Sequence, residues 1–179
     1  MTASGFEAID EEVVYDGWIM QVAKGRFRAP DGSTFERDVI HHPGAVAVVP
    51  LLGDDIILVR QYRSALDDFL IEIPAGLRDV QGEPPIETAQ RELIEEIGMR
   101  AGSLEPLTVI HNSAGFCDEQ IHLFIGTDLS RVERLVTNSP EEQSLEILQM
   151  PLTEARKMIS RGAITDAKTI IGVLSSPQQ

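Results

Sequence analysis

The segment GLRDVQGEPPIETAQRELIEEIGM, running from Gly76 to Met99, decides how the chain is read. Its second half has helical period: Ile86, Ala89, Leu93 and Ile97 fall on one stripe, which is expected to pack into a core. Pro84-Pro85 in the first turn and Gly98 after the last predict a helix over Glu83 to Ile97. Glu92, Glu95 and Glu96 stand at i, i+3 and i+4, so they cluster on an adjoining face. Like charges this close oppose the helix unless something neutralises them, and a divalent cation with oxygen ligands does so. The plainer alternative is an acidic solvated face with Arg91 as a local partner. Just upstream, Pro74-Ala75-Gly76 ends a strand, so a strand–loop–helix unit can bring backbone carbonyls close to the carboxylates.

Outward from this segment the chain reads mostly as strands. Gly44 to Leu51 and Asp55 to Tyr62 form a hairpin around Gly53-Asp54, and Phe69 to Ile73 is a short strand. Before them, Glu12 to Val22 reads as a strand broken at Asp16-Gly17. Lys24 to Arg28 and Thr34 to His41 flank the turn Ala29-Pro30-Asp31-Gly32. Beyond the helix come strands at Leu104 to His111, Gln120 to Thr127 and Ser144 to Met150, then helices at Thr153 to Arg161 and Asp166 to Leu174. Strands first, then strands mixed with helices, predict an α/β (α+β) fold: a mixed sheet with helices on its faces. The predicted organisation is an N-terminal antiparallel β-sheet element over 1–42 and a main domain over 43–179.

Charge and composition narrow the partners. The formal net charge of -14 repels phosphate backbones, so nucleic acid is not an expected partner. A small anionic ligand stays compatible, because a bound metal can invert the local field. No run approaches the ~20 apolar residues of a membrane span. The single cysteine, Cys117, excludes an internal disulfide and has no nucleophile motif around it, so it reads as a structural thiol. With no basic start or apolar run in Met1 to Asp10, a secretory signal is not expected and the cytoplasm is the expected location.

The segment from Gly76 to Met99 resembles the signature box of the Nudix hydrolases, G-x5-E-x7-R-E-U-x-E-E-x-G-U with U aliphatic. Glu83, Arg91-Glu92, Leu93, Glu95-Glu96, Gly98 and Met99 match in register, while the front differs by one residue, with six between Gly76 and Glu83. The resemblance implies an α/β/α sandwich and a Mg²⁺-dependent (or Mn²⁺-dependent) hydrolase of a pyrophosphate bond. It makes Glu92 and Glu96 the main metal ligands, with Glu95 supporting and the Ala75 carbonyl adding a ligand. Arg91 would orient the glutamates and pair with Glu83.

Outside the box, Val59-Arg60-Gln61-Tyr62-Arg63 and Ile71-Glu72-Ile73-Pro74-Ala75-Gly76 resemble ADP-ribose pyrophosphatases and their sugar-nucleotide relatives. By that resemblance Arg63 contacts the substrate diphosphate and Glu72 lies on the substrate side; a surface ion pair of Arg63 with Asp67 or Asp68 is the alternative. The catalytic base would come from a late loop, as Glu141 or, failing that, Glu142. The N-terminal element would pair two subunits into a homodimer, with Trp18 and Phe35 stacking on adenine; both rings could instead be hairpin or dimer core. Ala114 stands where such enzymes often carry proline, which leaves other nucleoside-diphosphate sugars, such as GDP-mannose, as alternatives. A non-catalytic nucleotide-binding module is expected to lose box carboxylates, and Glu92, Glu95 and Glu96 are all retained.

Overall fold

The run Ala45-Val-Ala-Val-Val is apolar at every position, the pattern of a strand covered on both faces. The computed structural model, which describes residues 5–135 and 143–177, places this run in β4, Ala45–Leu52. Side chains alternate across a strand, so Ala45, Ala47 and Val49 enter one core while Val46 and Val48 enter another. Beside β4 lie β5 (Asp55–Arg63), β6 (Asp68–Glu72) and β7 (Ala75–Leu77). The remaining strands of the larger sheet are β9 (Ser103–His111), β10 (Gln120–Thr127) and β12 (Glu146–Pro151). The order is β12-β5-β4-β10-β9, with β6 on β5 and β7 on β4. The β4–β10 pairing is parallel and β4–β5, β5–β6, β4–β7 and β5–β12 are antiparallel, so the sheet is mixed. Two short strands, β8 (Met99–Arg100) and β11 (Ser130–Arg131), form a separate pair.

Helix α1, Pro85–Ile97, covers one face of this sheet through Ala89, Leu93 and Ile97. Its last carbonyls are closed by Gly98 in the left-handed region (φ 62°), where a side chain would be strained. The opposite face is covered by α2 (Leu152–Ser160) and α3 (Ala167–Ser175), with Leu152, Ala155 and Val173 in its core. At Gly172 a Cβ would come within 2.7 Å of Val49, so α3 lies against β4 at glycine distance. The stripe on α1 differs from expectation at one place. Ile86 is 43% exposed, because the buried face begins only at Thr88, after the first turn.

The chain divides into two compact units, Met1–Gly44 with His111–Gln120, and Ala45–Ile110 with Ile121–Gln179. The first therefore takes in a segment from the middle of the chain as well as the N-terminal strands. It is built on β1 (Glu7–Asp16), β2 (Gln21–Arg28) and β3 (Thr34–His41), an antiparallel sheet in that order. The first strand begins at Glu7, earlier than the expected Glu12, and ends at Asp16 where the chain turns.

Leu93 is fully buried between α1 and the sheet. Leu93→Ala is expected to cost about 2–5 kcal/mol, and Ile86→Ala under ~1 kcal/mol. Urea unfolding of the two variants checks the assignment; equal costs would mean that α1 is rotated from this orientation.

Candidate active site

Two of the three glutamates of the box, Glu92 and Glu96, meet the end of a strand. Glu96 is buried, and its Oε2 accepts the Ala75 N–H at 3.0 Å. Pro74 just before it is tied to β4, its carbonyl accepting the Val48 N–H at 2.9 Å. Glu92 is also buried, and a Cβ on Gly76 would fall on its carboxylate. Only glycine lets the helix carboxylate lie so close to the strand-end backbone. Burial, then the neighbouring Glu92, pushes the Glu96 carboxyl up to about 8, against the pull of the Ala75 N–H, Arg63 and Lys168.

Arg91 shares its guanidinium among carboxylates from the helix and from the loop before it. Its Nη1 donates to Glu92 at 2.7 Å and Glu95 at 3.2 Å. Its Nε and Nη2 reach Glu83 at 3.4 and 3.3 Å, and Nη2 reaches Asp79 at 3.4 Å. Burial works against its charge, but Glu83, Glu92 and Glu95 more than offset this and hold its pKa above the usual arginine value. The local alternative of an Arg91 partner is thus present beside the acidic cluster.

As these side chains stand, no three acidic, histidine or cysteine groups among the described residues converge into a metal cage. Arg91 holds Glu92 and Glu95, and the backbone holds Glu96. The donor chemistry nevertheless fits a hard divalent cation. One guanidinium serves four carboxylates, Glu96 has none of its own, and every donor is oxygen. Glu92, Glu95 and Glu96, with the carbonyl of Ala75, are the groups that could hold such an ion.

Next to this cluster lies a buried ionic group. Arg63 grips Glu72 with both arms of a fork, Nε to Oε1 at 2.7 Å and Nη2 to Oε2 at 2.6 Å. The surface pairing of Arg63 with Asp67 or Asp68 is therefore not formed; Asp67 instead accepts the Tyr62 hydroxyl at 2.8 Å. Glu72 is 1% exposed and also receives Lys168 of α3. Burial pushes its pKa up, but Arg63 and Lys168 outweigh this and hold it below the ordinary carboxylate value. Sequence reasoning singled out Arg63 and Glu72 but missed Lys168. The available signal was a lone lysine in the otherwise apolar helix Ala-Lys-Thr-Ile-Ile-Gly-Val-Leu.

In the other unit the two aromatic candidates are not together. Trp18 lies in the β1–β2 turn and is 94% exposed, so it is not hairpin core. Phe35 stacks on Phe27 at 5.6 Å, lies under the Arg37 guanidinium, and lines a cavity of about 450 Å³ with Phe116 and Asp118. Phe35 faces Phe27 across the sheet, whereas the turn carrying Trp18 follows the Asp16–Gln21 pair. At the rise of a strand these places are roughly 20 Å apart. Glu141 and Glu142 lie outside the described residues.

A family model of the NUDIX domain matches residues 41–170. The chain is 38% identical over 176 residues to an ADP-ribose pyrophosphatase of Mycobacterium tuberculosis, covering 98% of this chain and 84% of the relative. It is 36% identical over 168 residues to a methanol dehydrogenase activator of Bacillus methanolicus, covering 93% and 90%. A solved structure of an ADP compounds hydrolase superposes with a TM-score of 0.82 at 22% identity, covering 95% of this chain and 91% of that one, which shows the shared fold.

Gly76→Ala is expected to destabilise the protein by about 1–3 kcal/mol by forcing Glu92 and the strand end apart. In a Glu92→Ala background the same change should cost less, since the obstructing carboxylate is gone. Denaturant unfolding of the four proteins reads the difference; equal costs in both backgrounds would separate Gly76 from Glu92.

Proposed function

The chain belongs to the Nudix family of pyrophosphohydrolases, and from that premise we propose that it hydrolyses ADP-ribose to AMP and ribose 5-phosphate. The observation that carries this reading is the glutamate turn of α1 held at the end of a strand, with Glu96 on the Ala75 N–H and Glu92 over Gly76. Mg²⁺, or Mn²⁺, is the assigned cofactor, held by Glu92, Glu95, Glu96 and the Ala75 carbonyl. Such an ion supplies Lewis-acid polarisation of a phosphoryl oxygen and a positioned water. Arg91 holds Glu92 and Glu95 in register with the loop through its contacts to Glu83.

The bridging P–O bond breaks as a water oxygen bonds to phosphorus. The proton leaving that water is assigned to Glu141, with Glu142 as the second candidate. Arg63, a cation with 41% of its side chain exposed and beside the buried Glu72, is assigned to the substrate diphosphate. Adenine is assigned to Phe35, supported by the stacked aromatic pair and cavity around it, and to Trp18, which at roughly 20 Å away within one chain could reach the same base only from the second protomer. A homodimer formed through the N-terminal sheet is part of the proposal. The exposed side chains of Val13, Val14, Tyr15, Trp18 and Met20 along the β1–β2 hairpin support it. The assigned compartment is the cytoplasm.

Purified protein with Mg²⁺ is to be incubated with a panel that includes ADP-ribose, GDP-mannose and other nucleoside-diphosphate sugars. ADP-ribose is expected to be the best substrate, yielding AMP and ribose 5-phosphate, with activity lost in chelator. Faster cleavage of another member would reassign the substrate. Glu96→Gln retains an acceptor for the Ala75 N–H but not the charge, so kcat should fall at least ~100-fold with the fold intact. Full activity in that variant would remove the site assignment.

Glu141→Gln should lower kcat ~100-fold or more while changing KM little. A normal rate would pass the role of base to Glu142, to be tested by the same substitution.

A further inference from the structure

The charge on Arg63 is not a property of that residue alone. Its guanidinium is closed onto Glu72 by two hydrogen bonds, and the carboxylate it grips is sealed from water. An isolated Arg–Glu fork is a neutral pair with little pull on a further anion. Here the same carboxylate takes a second cation: Lys168 Nζ donates to Glu72 Oε2 and, at 3.0 Å, to Asp166 Oδ1.

Lys168 is buried in a helix whose other side chains are mostly apolar. A lysine there is costly to bury unless paired, so its presence answers the acidic groups in front of it. Asp166 holds it in place. That residue caps α3, accepting from the Thr169 N–H at 2.9 Å and the Thr169 hydroxyl at 2.6 Å. The same hydroxyl accepts the Ile73 N–H at 2.8 Å. The first turn of α3 thus grips both the Glu72 carboxylate and the backbone that leads to Ala75.

We propose that Lys168 is a positioning residue that balances the Glu72 charge, so that Arg63 meets the substrate diphosphate from an ionic group that carries no excess negative charge. This rests on the function proposed above, in which Arg63 faces a diphosphate. Among Arg63, Lys168, Glu72 and Asp166, two cations stand against two carboxylates. Loss of Lys168 leaves an excess negative charge beside the incoming anion. Loss of the Glu72 charge in the same protein restores the balance, although it removes the rest of the ion pair. A purely structural role predicts the opposite, since a second lesion in one packed network adds damage.

The test compares wild type, Lys168→Met, and Lys168→Met with Glu72→Gln. ADP-ribose and inorganic pyrophosphate are titrated calorimetrically into each protein in EDTA, and KM and kcat for ADP-ribose are measured with Mg²⁺. Lys168→Met is expected to weaken binding of both probes about tenfold and to raise KM alike, with kcat changed less than about threefold. The double variant should regain most of that affinity. Lys168→Gln, which keeps a hydrogen-bond donor without the charge, should behave as Lys168→Met does, and it carries the comparison where the methionine variant fails to fold. Unchanged affinity on losing Lys168, or a double variant that binds no better than the single one, overturns the inference. Wild-type protein that binds pyrophosphate but neither binds nor cleaves ADP-ribose overturns the substrate assignment instead, and the pyrophosphate titrations then decide the role of Lys168.

Discussion

A carboxylate removed from water, that of Glu96, accepts a backbone N–H at the end of a strand, and the candidate site is organised around that bond. Burying a carboxylate is unfavourable unless hydrogen bonds or cations compensate it. Here the compensation is partial: one N–H in contact and two cations, Arg63 and Lys168, acting from nearby. Glu92 adds a like charge on the preceding turn, so the helix and the strand end together hold more negative charge than their own cations cover. That imbalance fits a site for a divalent cation, and it explains why three acidic side chains can occupy one helical turn.

The backbone geometry is set from both sides of the sheet. On one side α1 is anchored by Ala89, Leu93 and Ile97, which fixes the height at which Glu92 and Glu96 meet the strand end. On the other, Thr169 of α3 receives the Ile73 N–H. The segment from Glu72 to Gly76 is thereby held between two helices far apart in sequence. Arg91 ties the helix to its entry loop through Glu83 and Asp79. A site assembled from rigid elements in this way keeps its carboxylates spaced without relying on a mobile loop.

Much of this was legible in the residues. Helical periodicity marked Ala89, Leu93 and Ile97 as buried, and the spacing of Glu92, Glu95 and Glu96 placed them on one turn, because both follow from the pitch of a helix. Gly98 closes the helix as a glycine after an apolar-periodic run should. Ile86 belonged to the same period yet stays in water, since a stripe says nothing about where the neighbouring sheet stops. The pairing of Arg63 with Glu72 was not read: the resemblance assigned Arg63 to the substrate diphosphate, and the alternative weighed was a surface pair with Asp67 or Asp68. Strand register does not supply it either, since Arg63 stands opposite Asp68 and Glu72 opposite Val59; the two side chains meet only as they turn into the site beside Lys168.

The sequence by itself determined the helix, its three acidic groups, the glycine beside them and the alternation of strands, all of which depend on short-range geometry. It also carried the resemblance that named the chemistry. Tertiary structure alone decided that Lys168, nearly a hundred residues beyond Glu72, shares that residue's carboxylate. It alone decided that Trp18 and Phe35 sit at opposite ends of one sheet. The reason is the same in both cases: periodicity fixes which way a side chain points from its own element, whereas long-range strand register and helix docking fix what it meets.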